Sequence, residues 1–583
     1  MTNRNKSKKI LVLFLFLIVG FVLFLSAQFY TVVHERRTPS LFTSDEKRAE
    51  RGEIISADGF HIATTQQLYK AIVNTRNIDP DKKELFVKLF SIYSGISEKE
   101  IYKKLKSRKG SVVLSYHINP HDAQYLKTLA YKLRRMKVFV EYVRPNGHTI
   151  LHGLSILPSG EKRRYPYQDL LTPIIGYIHK VEDDSYTRVR GVKGIEKSFD
   201  ESLNAQQDGR QFGPRDVNSH MILNKKSYTR PDIDGLNVQL SIPVTLQKRV
   251  EKILTTMQKK LDAQEIMAVV MESSTGKVIS LASSNRYKPN KIRRSDYSSL
   301  NSNAVEYIFE PGSVLKPVVF SLLLEQKLIN PYDLVKGFNG RMKLGRKTIV
   351  DEHKFDWLSA ENVIVHSSNI GIAQLSQKLP ALDYYQGLID FGFGQKSGLR
   401  LPYEKQGSVP AINRLKNEIY KATASYGYGL EVNLMQILKA YNIFNNRGRM
   451  LTPYIVDKLI DMNGNTTSLA PKGSDQVISA TTAKRMKNIL IKTVNEGTGV
   501  NTILKGLEIG GKTGTAHIAE KGRYVNKYNT SFFGFANDEK HSYTLGVTVV
   551  QPKANHFASL TAVPVHKQIV DLLVEFDYLK PKL

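Results

Sequence analysis

The sequence predicts an α+β protein with three parts: an N-terminal transmembrane helix, a mixed α/β domain, and a C-terminal domain in which an antiparallel sheet packs between helices. Three observations support this fold class. An apolar run fills residues 10–30, and short β-like runs alternate with helical periodicity between residues 40 and 205. Two β-rich segments, at residues 531–536 and 544–550, can continue an antiparallel sheet near the end of the chain.

The apolar run Ile10–Tyr30 predicts a membrane-spanning helix. Its 21 residues, at about 1.5 Å each, span roughly 31 Å, which is the thickness of one bilayer core. A cleavable signal peptide is the alternative, but the run is too long for one and Ser26, Ala27 and Gln28 make a poor cleavage site. Four basic residues precede the helix, at Arg4, Lys6, Lys8 and Lys9. By the positive-inside tendency we expect a single-pass protein of the cytoplasmic (inner) membrane, with residues 1–9 in the cytoplasm and the rest exported.

The composition fits an exported protein and argues against a nucleic-acid partner. No cysteine is present, so stability must come from cores that bury much apolar surface. The net charge of +30, from 84 basic and 54 acidic residues, would suggest nucleic acid in a cytoplasmic protein. In an exported chain we expect these charges to face anionic lipid head groups and acidic ligands, or simply water. The histidines lack the spacing of metal ligands, so we predict no metal and no cofactor.

Two exported domains are predicted. Residues 204–237 are rich in Gly, Asp, Asn and Pro and show no clear periodicity, which indicates a boundary or a crossover. We therefore expect a first domain over residues 31–235 and a second over residues 236–583.

Helix start signals mark three helices in the first domain. One begins near Asp81, and a second opens at Ser97 with Glu100 completing a capping box. A third begins with Asn119 before Pro120, since proline suits the first helical position.

The strongest sign of chemistry is the sequence EPGSVLKP, in which Lys316 follows Ser313 by three residues. Pro311 and Gly312 make a turn, and the apolar run at 318–324 predicts a buried helix. Ser313 is therefore expected at a helix N-terminus, with the Lys316 amine on the same face nearly one turn later. A serine hydroxyl becomes a good nucleophile when a base takes its proton, and a lysine can do so only when it is neutral.

A second lysine, Lys512, is the candidate cation that keeps Lys316 neutral. Lowering the pKa of an amine from near 10.4 to about 7 costs roughly 4 to 5 kcal/mol, which burial and a nearby like charge can supply together. The pair of lysines therefore predicts acylation of Ser313 with Lys316 as the base.

The sequence HSSNIG supplies a second pair, Ser367 and Asn369. Ser367 can pass a proton between the base and a leaving amine, and Asn369 can hold a substrate amide and Lys316. Alone, this pattern would indicate a helix-start turn, and Ser299 with Asn301 matches it without meaning. Because HSSNIG lies between the other two motifs in the sequence, we interpret it as part of the same site. The expected catalytic residues are Ser313, Lys316, Ser367, Asn369 and Lys512.

The sequence GGKTGTA predicts a strand along which a substrate binds. Gly510 and Gly511 lack side chains, so we expect a ligand to approach the backbone closely there. Lys512 and Thr515 offer a charge and a hydroxyl for a substrate carboxylate, and the N–H groups of Thr515 and Ser313 form the expected oxyanion hole. The expected substrate-binding residues are Thr513, Gly514 and Thr515.

These three motifs, in this order, resemble those of the penicillin-recognising serine acyltransferases. Segments elsewhere make the chain similar, over nearly its whole length, to the class B penicillin-binding proteins, which are monofunctional D,D-transpeptidases of the bacterial wall. The segment RGEIISADG, beginning at Arg51, resembles the family's RGxI segment, although Ser56 and Ala57 depart from the usual acidic and basic pair. Further similar residues are Arg164, Tyr165, Pro166, Gly194, Ile195, Glu196, Asp200 and Leu203 in the pedestal, and residues 275–283 and 426–433 in the catalytic half.

The resemblance implies an activity, a fold and partners. The first exported domain is then a pedestal of the dimerisation type and the second a penicillin-binding transpeptidase domain. Stem peptides of peptidoglycan are the implied substrates, and β-lactams the covalent inhibitors. A polymerising membrane glycosyltransferase and other division proteins are the implied partners. Among related enzymes the identity of the acylation base is disputed.

Other interpretations stay open from the sequence. Glu310 before the first motif and the stretch Gly522–Tyr528 look more like the septal, FtsI-like type than the elongation type. A β-lactamase would need a glutamate followed four residues later by asparagine, and neither Glu404 nor Glu418 has that partner. A membrane-anchored β-lactam sensor or scaffold would keep the same motifs, but the tail before Ile10 is too short for a signalling domain.

Overall fold

The computed structural model describes residues 3–33, 41–145, 147, 149–183, 186–216, 221–497, 499, 502–520 and 522–582. Seventeen α-helices and twenty-five strands lie in these ranges. The helices are α1 Asn3–Val33, α2 Lys83–Ser94, α3 Glu98–Ser107, α4 Pro120–Arg135, α5 Gly194–Ser198, α6 Asp200–Leu203, α7 Val244–Leu261, α8 Asn303–Glu306, α9 Lys316–Glu325, α10 Ala360–Val365, α11 Asn369–Ser376, α12 Ala381–Asp390, α13 Ile412–Leu415, α14 Glu418–Ser425, α15 Leu434–Asn445, α16 Ala480–Glu496 and α17 Ala562–Glu575.

Twelve of the strands end at or before residue 240, and thirteen begin beyond it. Up to that point they are β1 Phe42–Lys47, β2 Ile54–Ile55, β3 His61–Asn74, β4 Ser111–Ile118, β5 Tyr142–Val143, β6 Thr149–Ile150, β7 Ser155–Arg164, β8 Ile178–Asp183, β9 Tyr186–Gly191, β10 Gly209–Pro214, β11 Tyr228–Arg230 and β12 Asn237–Leu240. Beyond it they are β13 Glu265–Glu272, β14 Val278–Ser283, β15 Leu334–Lys336, β16 Arg341–Leu344, β17 Lys347–Val350, β18 Trp357–Ser359, β19 Arg449–Met450, β20 Val456–Ile460, β21 Thr466–Ser468, β22 Asp475–Gln476, β23 Glu508–Glu520, β24 Arg523–Asn537 and β25 Ser542–Val550.

The chain forms two compact units. The first comprises the described parts of residues 1–48 and 207–232, and it contains α1 and a three-stranded antiparallel sheet in the order β1-β10-β11. Helix α1 includes the predicted apolar run, and its span Lys6–Val33 is long and apolar enough to cross a bilayer. The turn-rich segment after residue 204 therefore contains strands, although its sequence shows no clear periodicity.

The second unit, residues 49–206 with 233–582, contains a five-stranded sheet in the order β14-β13-β25-β24-β23. All neighbouring pairs are antiparallel. Side chains alternate between the two faces: Phe532 joins a core with α7 and α17, whereas Phe533 joins the core that contains α9 and α15. The prediction of an antiparallel sheet packed between helices is confirmed.

A second large sheet in this unit has nine strands, in the order β21-β20-β12-β2-β3-β7-β9-β8, with β4 also paired to β3. Strand β12, which begins at Asn237, pairs with β2 on one side and β20 on the other. The sheet is therefore continuous across the segment in which we placed the domain boundary. A separate core lies between β3, β4, β7 and helices α2, α3 and α4.

Three segments of the first exported domain resemble the family, and they contain Arg51, Arg164 and Glu196. These segments meet at one buried ion-pair cluster. Glu196 is fully buried, and its carboxylate accepts from Arg51 at 2.8 Å and from Arg163 at 2.7 Å. Burial raises the pKa of this carboxyl, but Arg163 and Arg51 outweigh burial and leave the pKa below its ordinary value. Asp200 binds the other side of Arg51 at 2.8 Å. The family resemblance in the sequence includes Arg164 in this region, but the arginine that pairs with the buried Glu196 is its neighbour Arg163.

Two of the three predicted helix starts are confirmed in detail. Asn119 caps α4 by accepting from the Asp122 N–H, with proline at the start of the helix. Ser97 caps α3 by accepting from the Glu100 N–H. The predicted capping box is wrong in its second half, because the Glu100 carboxylate binds the ammonium of Lys104 at 2.9 Å instead. A short 3-10 turn at Pro80–Lys82 precedes α2, close to the predicted start at Asp81.

Candidate active site

One cavity of about 360 Å³ is lined by residues from all three motifs. From the predicted site it exposes Ser313, Ser367, Asn369, Thr513 and Thr515. The two lysines, Lys316 and Lys512, lie beneath this surface with no exposed area. The further lining residues are Glu352, His366, Tyr426, Tyr428, His517, Tyr528, His556, Phe557, Ala558 and Ser559.

Ser313 lies in a 3-10 turn at Gly312–Leu315 that leads directly into α9. Gly312 has a φ of +62°, and a Cβ there would lie 3.0 Å from the Thr515 carbonyl oxygen. Proline follows Lys316 in the first turn of the helix. The predicted helix N-terminus is therefore present, and it holds Ser313 half-buried at the cavity wall.

Lys316 contacts the second motif directly. Its Nζ lies 2.5 Å from the carbonyl oxygen of Ser367 and 3.2 Å from the Ser367 hydroxyl. The hydrogen bonds described for this lysine go to Ser367 and not to Ser313. Burial, and then the nearby Lys512, hold the pKa of Lys316 well below its ordinary value, against the opposing effect of Asp351 and Glu352. A neutral amine inside a catalytic cavity can accept a proton.

Lys512 lies close enough to Lys316 to lower the pKa of that lysine, but the pKa of Lys512 is lowered as well. Burial lowers its pKa to about 7, although the charge of Glu352 acts in the opposite direction. Its Nζ makes only long contacts, at 3.5 Å to the Thr513 carbonyl oxygen and 3.4 Å to the Thr513 hydroxyl. These weak contacts leave the amine able to bind a further acceptor.

The second motif forms a strained turn between α10 and α11. Ser367 has a φ of +60°, a region that non-glycine residues rarely adopt and that is most often found at functional sites. Ser368 caps α11 by accepting from the Gly371 N–H. The Asn369 amide donates to the Val350 carbonyl oxygen at 3.0 Å, so its side chain turns toward β17 and not toward Lys316.

Asp351 anchors this turn, and no sequence motif indicated it. Its carboxylate accepts from the Ser368 hydroxyl at 2.5 Å and from the N–H groups of Asn369 at 2.6 Å and Ile370 at 3.0 Å. Three donors on one carboxylate fix the start of α11. The only available signal was an acidic pair, Asp351 and Glu352, directly after a short strand.

The third motif lies on β23, the edge strand of the five-stranded sheet. Lys512, Thr513 and Gly514 face Phe533, Phe532 and Ser531 across the ladder, in that order. A Cβ on Gly514 would lie 2.6 Å from the Ser531 hydroxyl and 2.8 Å from a Val314 methyl. Glycine is therefore what allows this strand to run beside the turn of Ser313.

The explanation predicted for Gly510 and Gly511 is wrong. A Cβ on Gly510 would lie 2.3 Å from the ring of Phe535, and a Cβ on Gly511 would lie 2.5 Å from the ring of Phe532. Both glycines therefore make room for core aromatic rings and not for a ligand. The sequence could not distinguish these uses, because both need a missing side chain.

Aromatic residues form one wall of the cavity. The rings of His517 and Tyr528 lie 4.5 Å apart, and the Tyr428 hydroxyl accepts from the His517 N–H at 3.3 Å. Tyr426 and Tyr428 follow α14 and meet at 5.9 Å. Across the described residues, no group of three or more metal-binding side chains could hold an ion.

Comparison with known proteins identifies the family. Residues 266–571 match the model of the penicillin-binding protein transpeptidase domain. The chain belongs to the penicillin-binding proteins. Residues 46–240 of this penicillin-binding protein match the penicillin-binding protein dimerisation domain, so it combines the two domains of the class B type.

Two curated relatives and one solved structure show how far the similarity extends. This penicillin-binding protein is 28% identical over 544 residues to the stage V sporulation protein D of Bacillus subtilis, covering 91% of this chain and 79% of the relative. It is 25% identical over 610 residues to the peptidoglycan D,D-transpeptidase FtsI of Buchnera aphidicola, covering 99% and 97%. The crystal structure of penicillin binding protein 2X from Streptococcus thermophilus matches 92% of this chain and 81% of its own, with a TM-score of 0.75 at 20% identity.

Proposed function

We propose that this penicillin-binding protein is a serine D,D-transpeptidase that cross-links the stem peptides of peptidoglycan. The observation that carries the proposal is a cavity in which the Ser313 turn, the Ser367–Asn369 turn and the edge strand of Lys512 meet, above two buried lysines, Lys316 and Lys512, whose pKa values are lowered. Membership of the family supports the same reaction, and a relative over almost the whole chain is named a peptidoglycan D,D-transpeptidase.

In the first step the Ser313 oxygen attacks the carbonyl carbon of the penultimate D-alanine of a donor stem peptide. The hydroxyl proton passes to Lys316, whose burial favours the neutral amine that accepts it. The C–N bond to the terminal D-alanine then breaks, and the proton reaches the leaving nitrogen through the Ser367 hydroxyl, 3.2 Å from Lys316. The products are an ester on Ser313 and free D-alanine.

In the second step an amine from a second stem peptide attacks the ester carbonyl. Its proton returns along the same route to the Ser313 oxygen as the ester bond breaks, and the new amide is the cross-link. A β-lactam opens its ring on the same serine and leaves no departing amine, so the acyl-enzyme persists and the enzyme is inhibited.

The edge strand supplies binding groups for both steps. Thr513 and Thr515 line the cavity, and an extended peptide can add to the sheet along β23, its edge strand. In our proposal Lys512, with Thr513 and Thr515, holds the terminal carboxylate of the donor. The N–H groups of Ser313 and Thr515 hold the oxyanion of the tetrahedral intermediate, where preorganised donors contribute most.

The membrane arrangement is a further part of the proposal. Residues 1–9 form the cytoplasmic tail, residues 10–30 the membrane helix, residues 31–235 the pedestal and residues 236–583 the transpeptidase domain. The basic residues before α1 support a cytoplasmic N-terminus with the catalytic cavity outside the cytoplasmic membrane. A polymerising glycosyltransferase of the same membrane and other division proteins are the proposed partners, because cross-linking needs newly made strands nearby.

We place the enzyme in septal wall synthesis. The motif with Glu310 and the similarity to an FtsI protein support this choice over the elongation type. Imaging a fluorescent fusion of the full chain in dividing cells tests it. Enrichment at midcell supports the septal role, whereas patches along the lateral wall would replace it with elongation, and signal confined to sporulating cells would point to the relative named for sporulation.

The nucleophile is tested by Ser313→Ala in the full chain, labelled with a fluorescent penicillin. Covalent labelling should fall by a factor on the order of 10⁴ or more, because the variant lacks the hydroxyl that penicillin acylates in our proposal. Ser376→Ala is the matched control, since Ser376 is a buried helix serine bonded only to a backbone carbonyl, and it should label normally. Persistent labelling of the Ser313 variant would contradict the assignment.

The same preparation separates the rival functions. A transpeptidase forms cross-linked product from lipid-linked precursors with a glycosyltransferase and keeps its penicillin adduct for many minutes. Rapid loss of the adduct with release of hydrolysed β-lactam would indicate a β-lactamase. A stable adduct without any cross-linked product would indicate a sensor or scaffold.

A further inference from the structure

The small sheet β1-β10-β11 has no covering layer among the described residues of its own unit. Every residue of β11 is exposed, and β1 has only one partly buried residue. A three-stranded sheet normally needs one face packed against something apolar to be stable. Within the described part of its unit, this sheet therefore lacks the apolar cover that such a sheet normally has.

One face of the sheet is aromatic. Phe212 of β10 lies directly opposite Tyr228 of β11, and its ring stacks on Phe42 of β1 with the centroids 5.3 Å apart. The three side chains therefore project from the same side, and Tyr228 is 58% exposed. Thr229, the next residue along β11, projects from the opposite side.

The end of the sheet beside these rings has an apolar and basic tip. The Arg215 N–H donates to the Leu41 carbonyl oxygen, and the Ile222 N–H donates to the Pro214 carbonyl oxygen, so the start of β1 and the turn after β10 lie together. Leu41 and Leu223 are 73% and 71% exposed. Lys225 and Lys226 follow in the same turn and are also exposed.

This tip lies close to the membrane helix along the chain. Eight residue steps separate Val33, the last residue of α1, from Leu41, and they span at most roughly 29 Å when fully extended. Leu41 therefore lies within roughly 29 Å of the end of that helix. Exposed aliphatic side chains next to lysines, with aromatic rings behind them, are the composition that binds a lipid interface.

We propose that the sheet β1-β10-β11 lies on the outer surface of the membrane, with Leu41, Ile222 and Leu223 inserted among the acyl chains and the Phe42, Phe212 and Tyr228 face against the head groups. Lys225 and Lys226 bind anionic lipid phosphates at the same boundary. The chain then contacts the bilayer at two places, the spanning helix and this sheet, which restricts the rotation of the first unit about its helix.

Tryptophan quenching by lipid tests the proposal in the full chain. The protein has one tryptophan, Trp357, so Trp357→Phe provides a silent background in which Leu223→Trp, Tyr228→Trp or Thr229→Trp adds a single reporter. Each variant is placed in nanodiscs that contain brominated lipids. We expect Leu223→Trp to lose at least about half of its emission and Tyr228→Trp a smaller fraction, because such elements insert about 5–10 Å. Thr229→Trp, on the opposite face, is expected to keep its emission.

Charge is tested by replacing Lys225 and Lys226 together with glutamine in the Leu223→Trp background. Quenching should weaken in discs that contain phosphatidylglycerol and stay unchanged in purely zwitterionic discs. Equal quenching of Leu223→Trp and Thr229→Trp, or none in either, would overturn the proposal and leave the face to a protein partner. Penicillin labelling of every variant reports on the proposed activity. A variant that labels normally but shows no quenching by lipid therefore contradicts the membrane contact and not the activity.

Discussion

The amine of Lys316 lies 2.5 Å from the carbonyl oxygen of Ser367 and 3.2 Å from its hydroxyl. The contact joins the first motif to the second, and in the mechanism that we propose it provides the route by which a proton taken from Ser313 reaches a leaving group. Ser367 is held for this contact in a left-handed backbone conformation, at φ +60°. This strained backbone conformation lowers the stability of the folded state, and the contacts of the surrounding turn must offset that loss.

The pH dependence of acylation reports on Lys316. Because burial and Lys512 lower the pKa of this lysine well below 10.5, its neutral fraction grows as pH rises through that lowered value. The rate constant for labelling by penicillin should therefore rise with pH and level off far below the range of an ordinary lysine. Stopped-flow labelling between pH 5 and 10 measures it, and a rate constant that still rises up to pH 10 without levelling off would refute Lys316 as the base.

Replacing the base tests the same point chemically. Lys316→Arg keeps a basic side chain of similar length, but the guanidinium holds its proton at any usable pH, so acylation should fall by about 10³-fold or more. Lys439→Arg is the matched control, because Lys439 is a buried lysine that donates to the Ser397 carbonyl oxygen away from the cavity. Its labelling rate should stay within a factor of about two.

Lys512→Met should raise the free energy of unfolding of the protein and lower its rate of acylation by penicillin. The unfolded lysine keeps its proton up to about pH 10.4, but the folded one releases it near pH 7. Between these values the unfolded state binds more protons, so wild-type stability rises with pH. The gain in Tm from methionine should therefore be largest at or below pH 7 and shrink toward pH 10.

Calorimetry of the full chain in detergent at pH 6, 8 and 10 checks this, together with penicillin labelling. The free-energy gain at neutral pH is at most roughly 5 kcal/mol, from the 1.36 kcal/mol that each pKa unit represents. A loss of Tm at pH 6 would show that Lys512 is stabilised by an interaction stronger than its burial cost.

Asp351→Asn should loosen the Ser367–Asn369 turn. The amide that replaces the carboxylate can point only one acceptor at the two N–H groups and the hydroxyl that Asp351 now binds. We expect a loss of about 1 to 3 kcal/mol of stability and a fall of roughly tenfold or more in acylation rate. Asp390→Asn, at the exposed end of α12, should change neither quantity. Unchanged acylation in the Asp351 variant would make the residue purely structural.

Arg51→Ala should destabilise the pedestal without altering the chemistry. It removes one of the two arginines on the buried Glu196 and the main partner of Asp200, which should cost about 3 to 5 kcal/mol. Lys47→Ala removes a surface ion pair with Asp232 and should cost less than about 1 kcal/mol. Thermal unfolding separates the two, and the folded Arg51 variant should still label at the wild-type rate. Equal Tm values for both variants would contradict the predicted contribution of the Arg51, Glu196 and Asp200 cluster to the stability of the fold.

Local patterns in the sequence determined the elements and the order of the motifs. The turn before Ser313, the helix that carries Lys316, the cap at Asn119 and three strands of the five-stranded sheet, β23, β24 and β25, follow from neighbouring residues, because turn, cap and pairing propensities are short-range properties. The apolar run Ile10–Tyr30 determined the membrane helix for the same reason.

Only the tertiary structure decided how charges and glycines are used. Lys316 and Lys512 lose their protons more easily because distant segments remove water from them, and Asp351, Glu352 and Arg163 acquire partners that lie far away in sequence. Desolvation and long-range pairing depend on which segments meet in space, and a short window of sequence contains no record of that. The rings behind Gly510 and Gly511, and the aromatic face of the sheet β1-β10-β11, were hidden for the same reason.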